Sequence, residues 1–344
     1  MPTTLNDTLD RLLDGQNLPE REASDLLVAL AAPEVAPALA GALLGALRAK
    51  GVTAAELRGL AGGMRTLARK PRLPAALRAV DIVGTGGDKS GSLNLSTGAA
   101  LLAAACGLAV VKHGNRAVSS RAGSADVLEA LGVAIALDEQ RAGDCLAATG
   151  FTFLFAPHYH PAMKSIAPVR AALGVRTVFN ILGPLSNPAE PPFQVVGAYD
   201  LPTAGLMAQA LSGMNIERVL VIHGAAGWDE PTPVGPFELF DVRAGLVRRE
   251  RRDPGDYGLA ACATTDLAGG DAAHNARVLQ RTLTGGERGA ARDALLLGAA
   301  LALEVSGVEA APRLAVARAA QAIDSGAAAA LLEKLIRFHA TASG

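Results

Sequence analysis

The run Asp81-Ile-Val-Gly-Thr-Gly-Gly-Asp-Lys-Ser-Gly-Ser-Leu-Asn-Leu-Ser-Thr97 places glycines, hydroxyls and a carboxylate between a strand-like stretch and a helix-like one (residues 98–105). Glycine lets backbone approach a ligand closely and turn its N–H groups toward phosphate oxygens. Ser96 and Thr97, at the start of the next helix, add hydroxyls and the positive end of a helix dipole. The chemistry implied is anion binding. Two familiar phosphate patterns do not fit: Asp88 stands where a P-loop needs glycine before its lysine, and Lys89 stands where a dinucleotide fingerprint needs glycine. A second cluster, Lys112-His-Gly-Asn-Arg-Ala-Val-Ser-Ser120, follows the apolar run 108–111. Its cations and hydroxyls crowd the carboxyl end of an expected strand, where ligands sit in open α/β sheets; the blander reading is a solvated basic loop. Asp229 and Glu230 are adjacent carboxylates, which by themselves read as a solvated turn. His158 and His160 have the i, i+2 spacing of a metal pair, but no cysteine or third histidine stands at ligand spacing, so they are read as shaping a loop.

The elements that must position these residues change character along the chain. Residues 1–75 read as helices only. Leu5, Leu9, Leu12 and Leu13 fall on one helical face, Ser24 and Asp25 precede an apolar run as a helix start, and Thr53 with Glu56 has capping-box spacing. Lys70 to Pro74 breaks helix and reads as a linker. Beyond it, apolar runs at 79–83, 108–111, 133–137, 151–155, 194–196 and 218–222 alternate with helical stretches, one bracketed by Ser124 and Gly132 and another by Asp138 and Gly150. That alternation predicts a largely parallel sheet covered by helices. Residues 161–183 lack a strand pattern and are expected to return to the helical part.

The 344 residues suffice for one large domain or two unequal ones, and half are apolar, so a sizeable core can be buried. A net charge of −1 gives no general attraction to nucleic acid or anionic membranes. Cys106, Cys145 and Cys262 are far apart and read as structural. The N-terminus is acidic and amphipathic rather than signal-like, and the alanine-leucine tracts are shorter than the ~20 apolar residues of a membrane span. A cytoplasmic location is expected.

Taken in order, GTGGD, NLST, KHGNRAVSS, GSADVLEALGV, FAPHYHPAMK, PVRAALGVRTVFNILGPLSNP and HGAAGWDE resemble the anthranilate phosphoribosyltransferase family of tryptophan biosynthesis, with weaker similarity from Asn275 to Leu335. The resemblance implies transfer of phosphoribose from phosphoribosyl pyrophosphate (PRPP) to anthranilate, with Mg²⁺. It assigns PRPP to Gly84, Gly87, Asp88, Ser92, Asn94, Leu95, Ser96 and Thr97. The second cluster joins them: Lys112, His113, Gly114, Asn115, Arg116, Ala117, Val118, Ser119 and Ser120, together with Ser124. Anthranilate falls to Asn115, Arg170 and the backbone of Gly84, and the metal to Ser96, Asp229 and Glu230. A guanidinium such as Arg170 can grip a carboxylate bidentately, and two carboxylates with substrate phosphates suit magnesium. An aromatic amine has a free lone pair, so no acid–base residue is assigned; His113 stands between orienting the amine and a structural role, and His160 is a candidate lining residue at the anthranilate entry.

The implied fold is α/β, with a small N-terminal helical domain (1–75, joined by about 161–190) and a larger α/β domain (76–160 and 191–344) whose central sheet is mainly parallel. A homodimer through the helical domain is also implied, with residues 70–74, Gly174 and Gly183 as hinge candidates and with neither nucleic acid nor membrane as partner. Departures from the family pattern are Lys89 for a common glycine, Ser92 for threonine, Leu93 for phenylalanine, Trp228 for leucine, Pro231-Thr232 for isoleucine-serine, and Gly298 where asparagine is common. A pyrimidine nucleoside phosphorylase is the first rival, disfavoured by the form of the turn at Gly84–Asp88. A nucleic-acid-binding homologue without activity is the second, disfavoured by near-neutral charge and by the presence of Asn115 and Arg170.

Overall fold

The computed structural model describes residues 4–117 and 121–340, so Val118, Ser119 and Ser120 of the second cluster lie outside the described residues. Four helices come first: α1 (Leu5–Leu13), α2 (Glu20–Leu30), α3 (Pro37–Lys50) and α4 (Ala54–Leu67). Thr4 and Thr53 cap α1 and α4 through reciprocal bonds with Asp7 and Glu56, as the spacing at Thr53 predicts. Glu56 is fully buried and also accepts from the Leu18 amide at 2.9 Å and the Lys50 ammonium at 2.9 Å, tying three helix ends together. Two expectations fail here. Helix α2 starts at Glu20, directly after Pro19, so Ser24 and Asp25 lie inside it. Leu12 is buried but Leu13 is 67% exposed, because the buried stripe of α1 is narrower than four leucines.

The first five strands, β1 (Ala79–Gly84), β2 (Ala109–Gly114), β3 (Phe151–Phe155), β4 (Phe193–Gly197) and β5 (Arg218–His223), are parallel. An antiparallel hairpin, β6 (Phe237–Arg243) and β7 (Leu246–Arg252), extends them into a sheet ordered β3-β2-β1-β4-β5-β6-β7. The chain therefore moves outward in opposite directions from β1 and β4, leaving a crevice between their carboxyl ends. The expected strand at 133–137 does not form: those residues run without a sheet partner between α6 (Ser124–Ala130) and α7 (Glu139–Thr149), although Val133, Ile135 and Leu137 are buried. Burial alone gave them an apolar run.

Helices cover both faces. On one, α5 (Leu95–Ala105) and α13 (Ala290–Val305) pack together, joined by α12 (Ala272–Leu283), α14 (Pro312–Asp324) and α15 (Ala327–Ala340). On the other, α11 (Leu201–Ser212) and the N-terminal bundle share a core with Val196, Val219 and Val221. Between β3 and β4 the chain makes the short helices α8 (Ala156–Tyr159), α9 (Ala167–Leu173) and α10 (Phe179–Leu182), whose Ile166, Val169, Ile181 and Leu182 join that same core. Among the described residues no helix is long and apolar enough to cross a membrane.

Candidate active site at the β1/β4 crevice

Gly84 ends β1 and pairs in register with Gly197 at the end of β4. A Cβ at Gly84 would lie 2.3 Å from Asp229 Oδ2, and one at Gly197 would lie 1.5 Å from the Asp229 carbonyl. Glycine is thus required at both strand ends for the loop after β5 to lie across the crevice. Gly224 gives the same loop room, since its Cβ would lie 2.1 Å from the Glu230 carbonyl. The loop is then wired to the glycine-rich turn. Asp229 Oδ2 accepts from the Gly86 amide at 2.6 Å, and the Asp229 amide donates to Asp88 at 3.2 Å. Asp88 also accepts from the Ser90 amide and hydroxyl. Glu230 accepts from the Ser96 amide at 2.8 Å and so sits at the amino end of α5.

Three carboxylates meet here, and among the described residues none forms an ion pair. The Asp229 carboxyl is pushed well above the usual range by burial and then by Asp88, and that of Glu230 by burial and then by Asp229. A hard divalent cation would relieve that repulsion. The described residues hold no cluster of three or more His, Cys, Asp or Glu side chains set for a metal, and Mg²⁺ takes one or two carboxylates with substrate phosphates and water. The donor set fits that mode. Trp228 is buried beneath the loop, and Gly298 of α13 comes so close to α5 that a Cβ there would lie 2.7 Å from that of Ala99. Asparagine at 298 would require these helices to part.

The rest of the turn is pinned by segment 267–269 and by Asn275, which carry no binding motif of their own. The Leu93 amide donates to the Leu267 carbonyl at 3.0 Å, the Gly269 amide to the Gly91 carbonyl at 2.7 Å, and Ser92 bridges Ala268. Asn94, the N-cap of α5, is held by Asn275 at 2.8 Å and donates to the Ala122 carbonyl at 3.1 Å. Ser92 shares its hydroxyl with Ser90 at 3.0 Å. Leu95 is buried in the core, so its side chain is out of reach of the crevice, and Thr97 is buried with an unpartnered hydroxyl. Lys89 is exposed with φ of +61°, in the left-handed region that explains a glycine preference there.

The second cluster divides. Lys112 is buried, donates to the Ile82 carbonyl and lies within the field of Asp81, Glu230 and Asp229; burial pulls its pKa below the usual lysine range. Arg116 is drawn off to Glu129 and Asp126 and lies over Phe155. Asn115 is exposed, and its carbonyl accepts from Ser124. Gly114 makes room for that serine, since its Cβ would lie 2.3 Å from Ser124 Oγ. The Ala117 amide donates to Asp126. Arg170, on α9, has its guanidinium over Phe179 at 4.9 Å, and that guanidinium makes no hydrogen bond or ion pair among the described residues. His113 is buried, its Nδ1 3.3 Å from the Gly183 carbonyl, and meets His160 edge-on at 5.1 Å. Burial, with His160 alongside, pushes its pKa down to about 3, so the imidazole is neutral. His158 turns toward Tyr159 and Glu139 instead, so His158 and His160 are not a metal pair.

Residues 76–329 match the family described as glycosyl transferase family, a/b domain, and residues 6–68 match its helical bundle domain. Anthranilate phosphoribosyltransferase of Rubrobacter xylanophilus is 44% identical over 340 residues, 99% of each chain. The chain belongs to the anthranilate phosphoribosyltransferase family. Its fold is equally close to that of solved members. The crystal structure of anthranilate phosphoribosyltransferase from Thermus thermophilus superposes with a TM-score of 0.90 at 44% identity, covering 97% of this chain and 99% of that one. The Saccharomyces cerevisiae enzyme in complex with PRPP and Mg gives 0.89 at 25% identity, covering 99% of each. Within this phosphoribosyltransferase frame, the wired turn and carboxylate loop form one wall of the crevice, while His113 and Asn115 stand at the end of β2 and Arg170 on α9.

Proposed function

We propose that this chain transfers the phosphoribosyl group of PRPP to the amino group of anthranilate, releasing pyrophosphate and forming N-(5-phosphoribosyl)anthranilate in tryptophan biosynthesis. The full-length relationship to enzymes of that activity supports the reading, and the observation that carries it is the Asp229-Glu230 loop laid across Gly84 and Gly197. Mg²⁺, when bound, supplies positive charge to the leaving pyrophosphate, and Ser96, Asp229 and Glu230 are the residues that would hold it. The turn Gly84–Asp88 and residues 92–97 cradle PRPP with the Gly87, Asp88 and Asn94 amides, which have no partner among the described residues, and with the Ser92 and Ser96 hydroxyls. Lys112, buried beneath the crevice, offsets the carboxylates, and the cluster 112–120 with Ser124 continues the PRPP side. Arg170 and Asn115, beside the Gly84 backbone, take the anthranilate carboxylate and hold the amine in line with the anomeric carbon. With Nδ1–H donating to the Gly183 carbonyl, the neutral His113 keeps Nε2 as an acceptor for a single hydrogen bond from a ring substituent, and no side chain is needed as a strong base.

Residues 1–75 with 161–190 are proposed as one lobe and the remainder as the other. The exposed Leu13 and Val28 on the bundle support a homodimer through it, in the cytoplasm; light scattering on the intact chain reports the assembly. The activity is tested by following anthranilate fluorescence. The expected result is a decay that needs both PRPP and Mg²⁺; no decay at saturating PRPP would overturn the reading, and phosphorolysis of thymidine would favour the nucleoside phosphorylase instead.

A further inference from the structure

Arg176 lies in the segment between α9 and α10 and belongs to neither half of the site described above. Its guanidinium donates from Nη2 to the Gly87 carbonyl of the substrate turn and lies over the Tyr199 ring, 4.0 Å from the centroid, just beyond β4. Its own carbonyl accepts from Arg48 Nη1, at the end of α3. A relay Arg48–Arg176–Gly87 thus runs from the helical bundle to the turn. The segment that carries it is short and held at both ends: Gly174 closes α9 in the left-handed conformation, and the Thr177 amide donates to Asn180 at 2.9 Å. Helix α9 is seated on α3, where a Cβ at Gly41 would lie 3.7 Å from Val169 and 3.9 Å from Leu173. Arg170 on α9 and Arg176 therefore move as one body.

The relay has a chemical consequence at the turn. Gly87 has φ of +73°, and a Cβ on it would lie 3.3 Å from Arg176 Nη2, so the guanidinium approaches as a glycine allows. In a planar trans peptide the carbonyl and the following N–H point in opposite directions. With the Gly87 carbonyl turned to Arg176, the Asp88 N–H is fixed pointing away from it and kept free of that bond.

Resting on the function proposed above, we infer that Arg176 is a positioning residue that couples the two substrate sites. A pyrophosphate group on the turn favours the peptide orientation that Arg176 holds. That orientation in turn fixes the segment bearing Arg170, so occupancy of the PRPP side raises affinity for anthranilate, and by linkage the reverse. Neither an arginine that only shields the turn nor one that only fills space would transmit occupancy in this way.

The test titrates anthranilate fluorescence with and without magnesium pyrophosphate, in the natural chain, Arg176→Gln and Arg176→Lys. In the natural chain the pyrophosphate tightens anthranilate binding about fivefold or more, a modest coupling for two linked sites. Arg176→Gln keeps the affinity for anthranilate alone, which shows its fold and Arg170 intact, and loses the enhancement. Arg176→Lys retains part of it, since an ammonium reaches one acceptor without the planar fork that also covers Tyr199. An enhancement unchanged in Arg176→Gln overturns the inference, as does a natural chain that binds both ligands without coupling. A natural chain that binds neither ligand overturns the proposed function, and the inference with it.

Discussion

The two sides of the crevice are built differently. On the side proposed for PRPP, the turn, the start of α5 and the Asp229-Glu230 loop are joined by bonds from backbone amides to carboxylates and by glycines at which a Cβ would collide with the loop. On the side proposed for anthranilate, the Arg170 guanidinium lies over Phe179 with no hydrogen bond or ion pair among the described residues, while β2 carries the buried His113 and, just past its end, the exposed Asn115. A highly charged polyphosphate needs dipoles fixed before it arrives, because their reorganisation would otherwise weaken binding. A small aromatic acid needs one strong carboxylate anchor and a surface, which loosely tied side chains can supply.

If the PRPP side is rigid by construction, one methyl group there should do the most damage. Gly84→Ala directs a Cβ at the Asp229 carboxylate, and about 10²-fold loss of kcat/KM for PRPP is expected, the scale of a 1 Å misplacement. Steady-state kinetics on folded variant check it; near-normal turnover would mean the loop is not fixed against that strand end. Arg170→Ala removes a single anchor. It should raise the Michaelis constant for anthranilate about 10- to 100-fold, the loss of a charge-assisted pair, and leave that for PRPP nearly unchanged. The opposite split would move Arg170 to the other side of the crevice.

The histidine pair gives a smaller, pH-dependent effect. His113 is pushed down to about 3 and His160 to about 4, in both cases chiefly by burial, from an ordinary value of 6.5. The unfolded chain therefore takes up protons first. Their contribution favours the folded state above about pH 6.5 and is lost progressively as pH falls toward 4. Thermal melts of the natural chain should drop over that window, and those of His113→Asn with His160→Asn should drop less; equal slopes would remove the pair as the cause. Smallest of all, Lys89→Gly should raise stability by up to about 1 kcal/mol by relieving a left-handed conformation, partly offset by the entropy of glycine. A loss of stability in denaturant titration would show that the lysine side chain holds the turn.

Much of the rigid side is readable in the sequence because its residues are contiguous and their glycines have one physical use. The strands at 79–84, 151–155 and 218–223 are readable for a similar reason, as short, mostly apolar runs in a buried parallel sheet. The run at 133–137 shows the limit, since burial without a ladder leaves the same signature. The β6–β7 hairpin escaped notice because Leu246–Arg252 is an edge strand rich in arginine, as edges facing water tend to be. Nothing local marks Asn275, the segment 264–269 or Arg176; their partners are distant in sequence and appear only once the chain is folded. Asn115 and Arg170 gained a role through the family resemblance alone, because among the described residues the Asn115 side chain bonds only its neighbour's amide and the Arg170 guanidinium only stacks on Phe179, and such contacts leave no pattern in the sequence.

The contrast between the two walls rests on the carboxylate loop being the place where metal and PRPP meet. Calorimetric titration of PRPP into the natural chain and into Asp229→Asn with Glu230→Gln, each with and without Mg²⁺, tests that most directly, with anthranilate titrated as the control. PRPP affinity should depend on Mg²⁺ in the natural chain and fall at least about tenfold in the variant, losing most of its metal dependence, while anthranilate binding is retained. A variant that binds PRPP with natural affinity and an unaltered Mg²⁺ dependence would contradict it.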